Sequence, residues 1–149
     1  MNRKLIDDYV AGGQRLRDAV AGLTNEQLKR RPVDGSWSIQ QIVIHLVDSD
    51  LVASDRMKRV IAERRPLLVG YDETRFAECL HCDDQSVEDA LTLFEVNRRQ
   101  TARILRALPD DAFDRWGVHN ERGKVTLLEL LHGYVGHLEH HLRFIEKKK

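Results

Sequence analysis

Three of the seven histidines in this sequence stand close together near its end, in the stretch GHLEHHLRFI at residues 136–145. His137 and His141 are four residues apart, so their rings lie one above the other on one face of a helix. This spacing is typical of metal ligands. The spacing also fits two core histidines that are hydrogen-bonded to carbonyl groups, and for the pair alone this second interpretation is favoured.

A third histidine changes the balance. His45 lies in IQQIVIHLVDSD, one turn after Ile42 and on the apolar side of another predicted helix. Imidazoles from two helices that face one core give a set of three nitrogen ligands, which leaves a divalent cation at least one open coordination position, as catalytic sites require. Together, His45, His137 and His141 favour a metal site over three separate core histidines.

The other four histidines are weaker candidates. His140 points about 100° away from His141 and is interpreted as a boundary residue or an outer neighbour of the site. His132 and His81 are assigned no role. His119 could approach the site only if its segment, GVHNERGK, folds over it.

Other metal motifs fit less well. HLEHH lacks the glutamate that follows the first histidine in zinc proteases. The di-iron unit Glu-x-x-His occurs as Glu78 with His81 and as Glu129 with His132, but Glu129 is better explained as part of a helix start and Glu78 falls in a connection. A di-iron site is therefore a minor alternative.

Four amphipathic segments must position these side chains, and the three prolines fall between them. The predicted helices cover about residues 2–22, 38–65, 86–108 and 126–145. The second and fourth begin with capping boxes, Ser38 with Gln41 and Thr126 with Glu129. No strand with period two is evident, so residues 117–123 are predicted to form a polar loop, and residues 66–85 to hold at most a short extra helix. The pattern predicts an all-α four-helix bundle.

Several residues near the candidate ligands have two interpretations. Asp48, three residues after His45, either orients that imidazole or is a solvated acid. Arg98 interrupts the apolar stripe of the third helix, and either meets an anionic substrate group or extends to the rim. Gly133 and Gly136 cost helix stability, which suggests that something close by needs the space.

The composition narrows the function. A chain of 149 residues predicts a single domain over residues 1–149. Its 24 basic and 24 acidic residues give no field that attracts nucleic acid. Without a signal-like start or a membrane-length apolar run, we expect a cytoplasmic protein with no membrane partner. Cys79 and Cys82 have redox or zinc spacing, but no second pair supports it, so they are interpreted as incidental.

The segments SWSIQQIVIHLVDSD, YDETRFA and ERGKVTLLELLHGYVGHLEHHLRFI together resemble the DinB-like family, including its YfiT-like metal-dependent hydrolases, over roughly residues 23–145. The resemblance implies a four-helix bundle with up-up-down-down connectivity and one long crossover. It also implies a divalent metal, zinc or nickel, at His45, His137 and His141, and a homodimer.

Members of this family resemble hydrolases or transferases of low-molecular-weight thiols. A cation held by three neutral imidazoles can lower the pKa of bound water or hold a thiol as its thiolate. We therefore predict a metal-dependent enzyme that acts on a small molecule, with zinc ahead of nickel and with no catalytic residue assigned beyond the metal ligands. The alternatives are a non-catalytic, stress-related metal-binding module and a protein without metal.

Overall fold

The computed structural model describes residues 2–149 and is mainly helical. Its helices are α1 (Arg3–Val20), α2 (Asn25–Lys29), α3 (Ile39–Ala62), α4 (Glu73–Cys79), α5 (Val87–Arg106) and α6 (Leu127–Lys148). Its strands are β1 (Leu67–Leu68), β2 (Trp116–His119) and β3 (Gly123–Thr126). The four long helices α1, α3, α5 and α6 form the predicted four-helix bundle. Among the described residues, no helix is both long and apolar enough to cross a membrane.

The two helices that carry the candidate ligands start where the capping boxes predict. Before α3, the hydroxyl of Ser38 accepts a hydrogen bond from the Gln41 amide, and the Gln41 side chain accepts one from the Ser38 amide. Thr126 and Glu129 make the same reciprocal pair before α6. Because each box fixes the first turn of its helix, it also sets which face turns inward further along.

The core clusters give the direction of each long helix. One cluster collects residues from the end of α1, the starts of α3 and α5, and the end of α6, while the other collects the opposite ends. Along the chain the helices therefore run up, down, down and up. Helix α6 runs parallel to α1, and α3 runs parallel to α5. The long crossover is confirmed, since residues 63–86 join the parallel helices α3 and α5.

A buried ion pair ties the four long helices together at the centre. Arg98 of α5 donates to both carboxylate oxygens of Asp50 in α3, at 2.7 and 2.9 Å. It also donates to the backbone oxygens of Tyr9 in α1 and Tyr134 in α6. The Arg98 side chain is only 1% exposed, so both sequence interpretations of this residue, a substrate contact and a rim position, are wrong. It is a structural cross-link.

A small sheet replaces the predicted polar loop. Strands β2 and β3 form an antiparallel hairpin whose turn uses Gly123 at φ 75°, and β1 pairs with β2 in parallel. Asn120 at the hairpin tip accepts a hydrogen bond of 2.8 Å from the Gly70 amide. These strands have two to four residues, too few to display a period-two pattern, which is why sequence analysis missed them.

Among the smaller elements, one was predicted and one was not. The extra helix in the crossover is confirmed as α4. Helix α2 was not predicted, although Thr24 and Gln27 form a third capping box at its start. Helix α3 ends at Ala62, before Arg65, whose φ of 49° is incompatible with a continuing helix.

Candidate metal centre

The structure brings the three predicted ligands together inside the bundle. The Nε2 atom of His137 lies 3.1 Å from Nε2 of His45 and 3.1 Å from Nε2 of His141. One ligand atom from each ring lies within 4.8 Å of the other two. Among the described residues, this is the group of three that could hold a metal ion. Helix α3 supplies the buried member, His45, and α6 supplies the two half-buried members.

These contacts suit a cation better than hydrogen bonds between the rings. Each Nε2 carries either one proton or one lone pair, so His137 cannot make a separate hydrogen bond of good geometry with each neighbour. A cation accepts all three lone pairs at once. A tetrahedral zinc with ligands at about 2.05 Å separates neighbouring nitrogens by roughly 3.3 Å, close to the two distances of 3.1 Å. The residues therefore fit a divalent metal.

Burial keeps all three rings neutral. It lowers the pKa of His45 to about 3, with further lowering by His137 and His141. Burial also lowers the pKa of His137 and of His141 to about 4 each, assisted by neighbouring histidines. Metal ligands must be deprotonated, so at neutral pH a cation would displace no proton from these nitrogens.

The surroundings of the three rings are partly aromatic. The ring of Trp37 lies 5.0 Å from that of His45, between centroids. The exposed His140 lies 5.2 Å from His141 in the same measure, as expected for a boundary residue.

Asp48 is half-buried, and burial raises its pKa. Within residues 2–149 no hydrogen bond joins Asp48 to His45, so the orienting role, one of its two sequence interpretations, has no contact to support it.

A cavity of about 250 Å³ adjoins the histidines, and His137 forms part of its wall. Arg56 forms another part, and it is 7% exposed. Its guanidinium donates 2.8 Å hydrogen bonds to the hydroxyl of Tyr134 and to the backbone oxygen of Val69. The hydroxyl of Tyr71 contacts that of Ser49 on the same wall. The cavity is thus a polar chamber that has the candidate ligand His137 in its wall.

The β2–β3 hairpin folds over this chamber and brings His119 to its wall. Sequence analysis left His119 without a role because the hairpin was not predicted. His119 is 5% exposed, whereas His81 and His132 are exposed and lie outside the wall of this cavity. Burial lowers the pKa of His119, and the positive charges of Arg56 and Arg122 lower it further.

Of the two glycines of α6, only Gly133 lies beside space that adjoins the candidate ligands. A Cβ atom added at Gly133 or at Gly136 would meet no heavy atom within 4 Å. Neither glycine therefore gives room to a packed neighbour. Gly133 faces the empty space of the cavity, which its missing side chain enlarges. Close packing against a glycine occurs in α1 instead, where a Cβ at Gly12 would lie 2.6 Å from both Arg98 and Leu138.

The two cysteines remain separate from the site. Cys79 is an exposed free thiol and Cys82 is a buried one, and neither joins the group of possible ligands. Burial raises the pKa of Cys82, which makes it a poorer nucleophile. Glu129 belongs to its capping box, as expected, so the second di-iron unit loses its carboxylate.

The protein is therefore a four-helix bundle with three histidines that could hold a metal ion beside a polar cavity. The family description of the DinB superfamily matches residues 8–145 of this chain. The chain belongs to the DinB superfamily.

Individual relatives agree with this assignment. YfiT of Bacillus subtilis is 34% identical over 133 residues, which cover 88% of this chain and 74% of YfiT. A protein of Oceanobacillus iheyensis is 33% identical over 130 residues, covering 87% of this chain and 75% of that protein. Both are provisionally named metal-dependent hydrolases.

Solved structures show the same fold. The structure of Bacillus subtilis YfiT, described as having an unusual four-helix bundle topology, superposes with a TM-score of 0.93 and covers 99% of this chain and 85% of YfiT. A mycothiol-dependent maleylpyruvate isomerase superposes with a TM-score of 0.75 at 13% identity, over 96% of this chain and 60% of the isomerase. That second likeness concerns the fold alone.

Proposed function

We propose that this protein is an enzyme that uses a divalent metal held by His45, His137 and His141 to transform a small molecule. Zinc is the first candidate and nickel the second. The observation that carries the proposal is the position of His137, which belongs to the histidine cluster and to the wall of the cavity. A ligand in the cavity therefore lies next to the coordination sphere.

A divalent cation in such a site lowers the pKa of a coordinated water or thiol, which supplies a nucleophile at neutral pH. Water would give a hydrolase, and a low-molecular-weight thiol would give an S-transferase. The names of the relatives support the first reaction, and the mycothiol dependence of the isomerase with the same fold supports the second. The cavity, at about 250 Å³, suits a small substrate better than a polymer.

The alternative is a metal-binding, stress-related module without turnover. Structural zinc usually has four protein ligands, whereas among residues 2–149 only three candidate ligands converge here. That difference favours an open, reactive site.

Metal analysis tests the binding step. Protein prepared without added metal and then dialysed against equimolar zinc is expected to retain about one ion per chain. Three variants, His45→Ala, His137→Ala and His141→Ala, should each strongly lower the amount of metal retained. The reason is that an ion held by three protein ligands is bound much more weakly when one ligand is removed. The matched control is His132→Ala, an exposed histidine on α6. Equal metal in all five proteins would overturn the proposal.

Cobalt substitution separates an enzyme site from a closed structural one. Cobalt-loaded protein titrated with cysteine or glutathione is expected to gain a sulfur-to-cobalt charge-transfer band if a coordination position is open to a thiol. An unchanged spectrum with thiols, together with the absence of exchangeable water on the bound metal, would favour the non-catalytic module. A band with thiols but no hydrolysis of small esters would favour the transferase over the hydrolase.

The partners remain proposals. We expect two chains to form a homodimer in solution, which sedimentation equilibrium would test. A cytoplasmic location and the absence of nucleic-acid binding likewise remain predictions from the composition.

A further inference from the structure

The backbone fixes the tautomer of His119. Its Nδ1 atom accepts hydrogen bonds from the amides of Glu121 and Arg122, at 3.1 and 3.2 Å. A nitrogen that accepts two N–H groups carries no proton, so the proton of the neutral ring sits on Nε2. The hairpin turn thereby presents His119 as a hydrogen-bond donor of fixed orientation.

This donor has no partner of its own. Among residues 2–149, no hydrogen bond engages the Nε2 atom of His119, a residue that is 5% exposed and lines the same cavity as His137. The buried side-chain atoms without a partner do not include this Nε2 atom, so it is reached from open space. An acceptor placed in the cavity can take this hydrogen bond in exchange for water.

Tyr134 adds a second donor to the same wall. Its hydroxyl oxygen already accepts a hydrogen bond from Arg56, which leaves the hydroxyl hydrogen free to be donated. Arg56 is the charged side chain in the buried part of the wall, and it polarises that hydroxyl. The acidic members of the wall, Glu73, Glu121 and Glu129, are all exposed at the rim.

We propose that the substrate carries a carboxylate, and that His119 and Tyr134 bind this carboxylate and thereby position the rest of the substrate beside His137. The inference rests on the proposed function, because it names the substrate class of the same site. His119 acts as a positioning and specificity residue. It takes no part in proton transfer, since its only free ring position is already protonated.

Succinate binding tests the proposal without turnover. Its affinity is measured by calorimetry at pH 7.5 on the 149-residue chain, once as purified and once after chelation of metal. His119→Leu, which removes the donor, is expected to weaken binding about tenfold or more. His119→Gln, whose amide keeps a donor, should stay within about threefold of the wild type. Tyr134→Phe should weaken binding about fivefold, and the exposed His132→Leu is the matched control.

Nitrogen NMR supplies a readout that a merely structural role would not move. The His119 ring is expected to show a protonated Nε2 and an unprotonated Nδ1, and the Nε2–H signal should shift and become protected from exchange on adding succinate. Thermal melting of each variant identifies those that fail to fold. If His119→Leu does not fold, His119→Gln and the NMR signal of the wild type decide the matter.

The outcomes separate this inference from the proposed function. Equal succinate affinity in the wild type and a folded His119→Leu, or no succinate binding by the wild type, would overturn the inference alone. Binding that disappears on chelation would also overturn it, because the carboxylate would then sit on the metal. Succinate binding that depends on His119 in a protein that takes up no metal would support it and overturn the proposed function alone.

Discussion

The Nε2 atoms of His45 and His137 lie 3.1 Å apart, although 92 positions separate the two residues in the sequence. The antiparallel packing of α3 on α6 produces this approach. Since the Nε2 atom of His137 lies equally close to that of His141, the bundle holds three imidazole nitrogens together before any cation arrives. Stability and metal affinity should therefore respond to the same residues.

The free energy of unfolding of the metal-free protein should depend on pH because these histidine rings are buried. The pKa of His45 is about 3 in the folded protein and near 6.5 in an unfolded chain. Between these values the unfolded state binds more protons, so stability falls as the pH is lowered below about 6.5. We expect the free energy of unfolding of chelated protein to drop by about 2 kcal/mol between pH 7.5 and pH 5 from His45 alone. Urea titrations at both pH values measure it.

The matched comparison uses His45→Gln and the exposed His132→Gln. The first should lose about the part of the pH dependence that belongs to His45, while the second should keep the wild-type slope. A His45→Gln protein with an unchanged slope between pH 7.5 and pH 5 would show that His45 is not titrated on unfolding.

Glycine positions in two helices should respond oppositely to the same change. Gly12→Ala places a Cβ 2.6 Å from Arg98 and from Leu138, so we expect a loss of about 1–3 kcal/mol in the free energy of unfolding. Gly136→Ala meets no neighbour and should gain up to about 1 kcal/mol from helix propensity. Equal effects in thermal melts of the two variants would contradict this assignment of close packing to Gly12.

The sequence predicted the bundle well because its signals are local. Capping boxes and apolar stripes with helical period depend on residues three and four apart, so the starts of α3 and α6 could be placed. The direction of each helix depends instead on which ends share a core cluster, and nothing local records that. The short strands were missed for the related reason that they are fixed by pairing between distant segments.

The residues of the candidate site also divide into those that local sequence patterns predict and those that depend on distant partners. His137 and His141 share a helix face that the spacing alone defines, and His45 joined them because it lies on an apolar stripe. Arg98 was misinterpreted because its partner Asp50 lies 48 positions away, on another helix. His119 could be recognised only after the hairpin was known.

The central ion pair should be costly to break and cheaper to replace. Arg98→Met leaves the Asp50 carboxylate buried without a counter-charge, which should cost about 3–5 kcal/mol in the free energy of unfolding. Burial already raises the pKa of Asp50, opposed by the guanidinium of Arg98. The double variant Arg98→Met with Asp50→Leu should recover a large part of that loss.

Urea unfolding of both single variants and the double variant closes the cycle. The exposed pair of Lys4 with Asp8 is the control, and Lys4→Met should change stability by about 0.5 kcal/mol or less. A double variant no more stable than Arg98→Met would contradict the assignment of the loss to the uncompensated carboxylate.

Filling the cavity at Gly133 should separate access from metal binding. A leucine there would project into the empty space beside His137, whereas Gly136→Leu, equally free of neighbours, lies outside the cavity wall. We expect both variants to bind cobalt like the wild type, and Gly133→Leu alone to need a concentration of glutathione about tenfold higher to change the cobalt spectrum. Since both replacements put the same side chain on the same helix, a general effect on α6 would appear in both. Identical glutathione titrations of the two variants would show that small molecules reach the histidines by another route than this cavity.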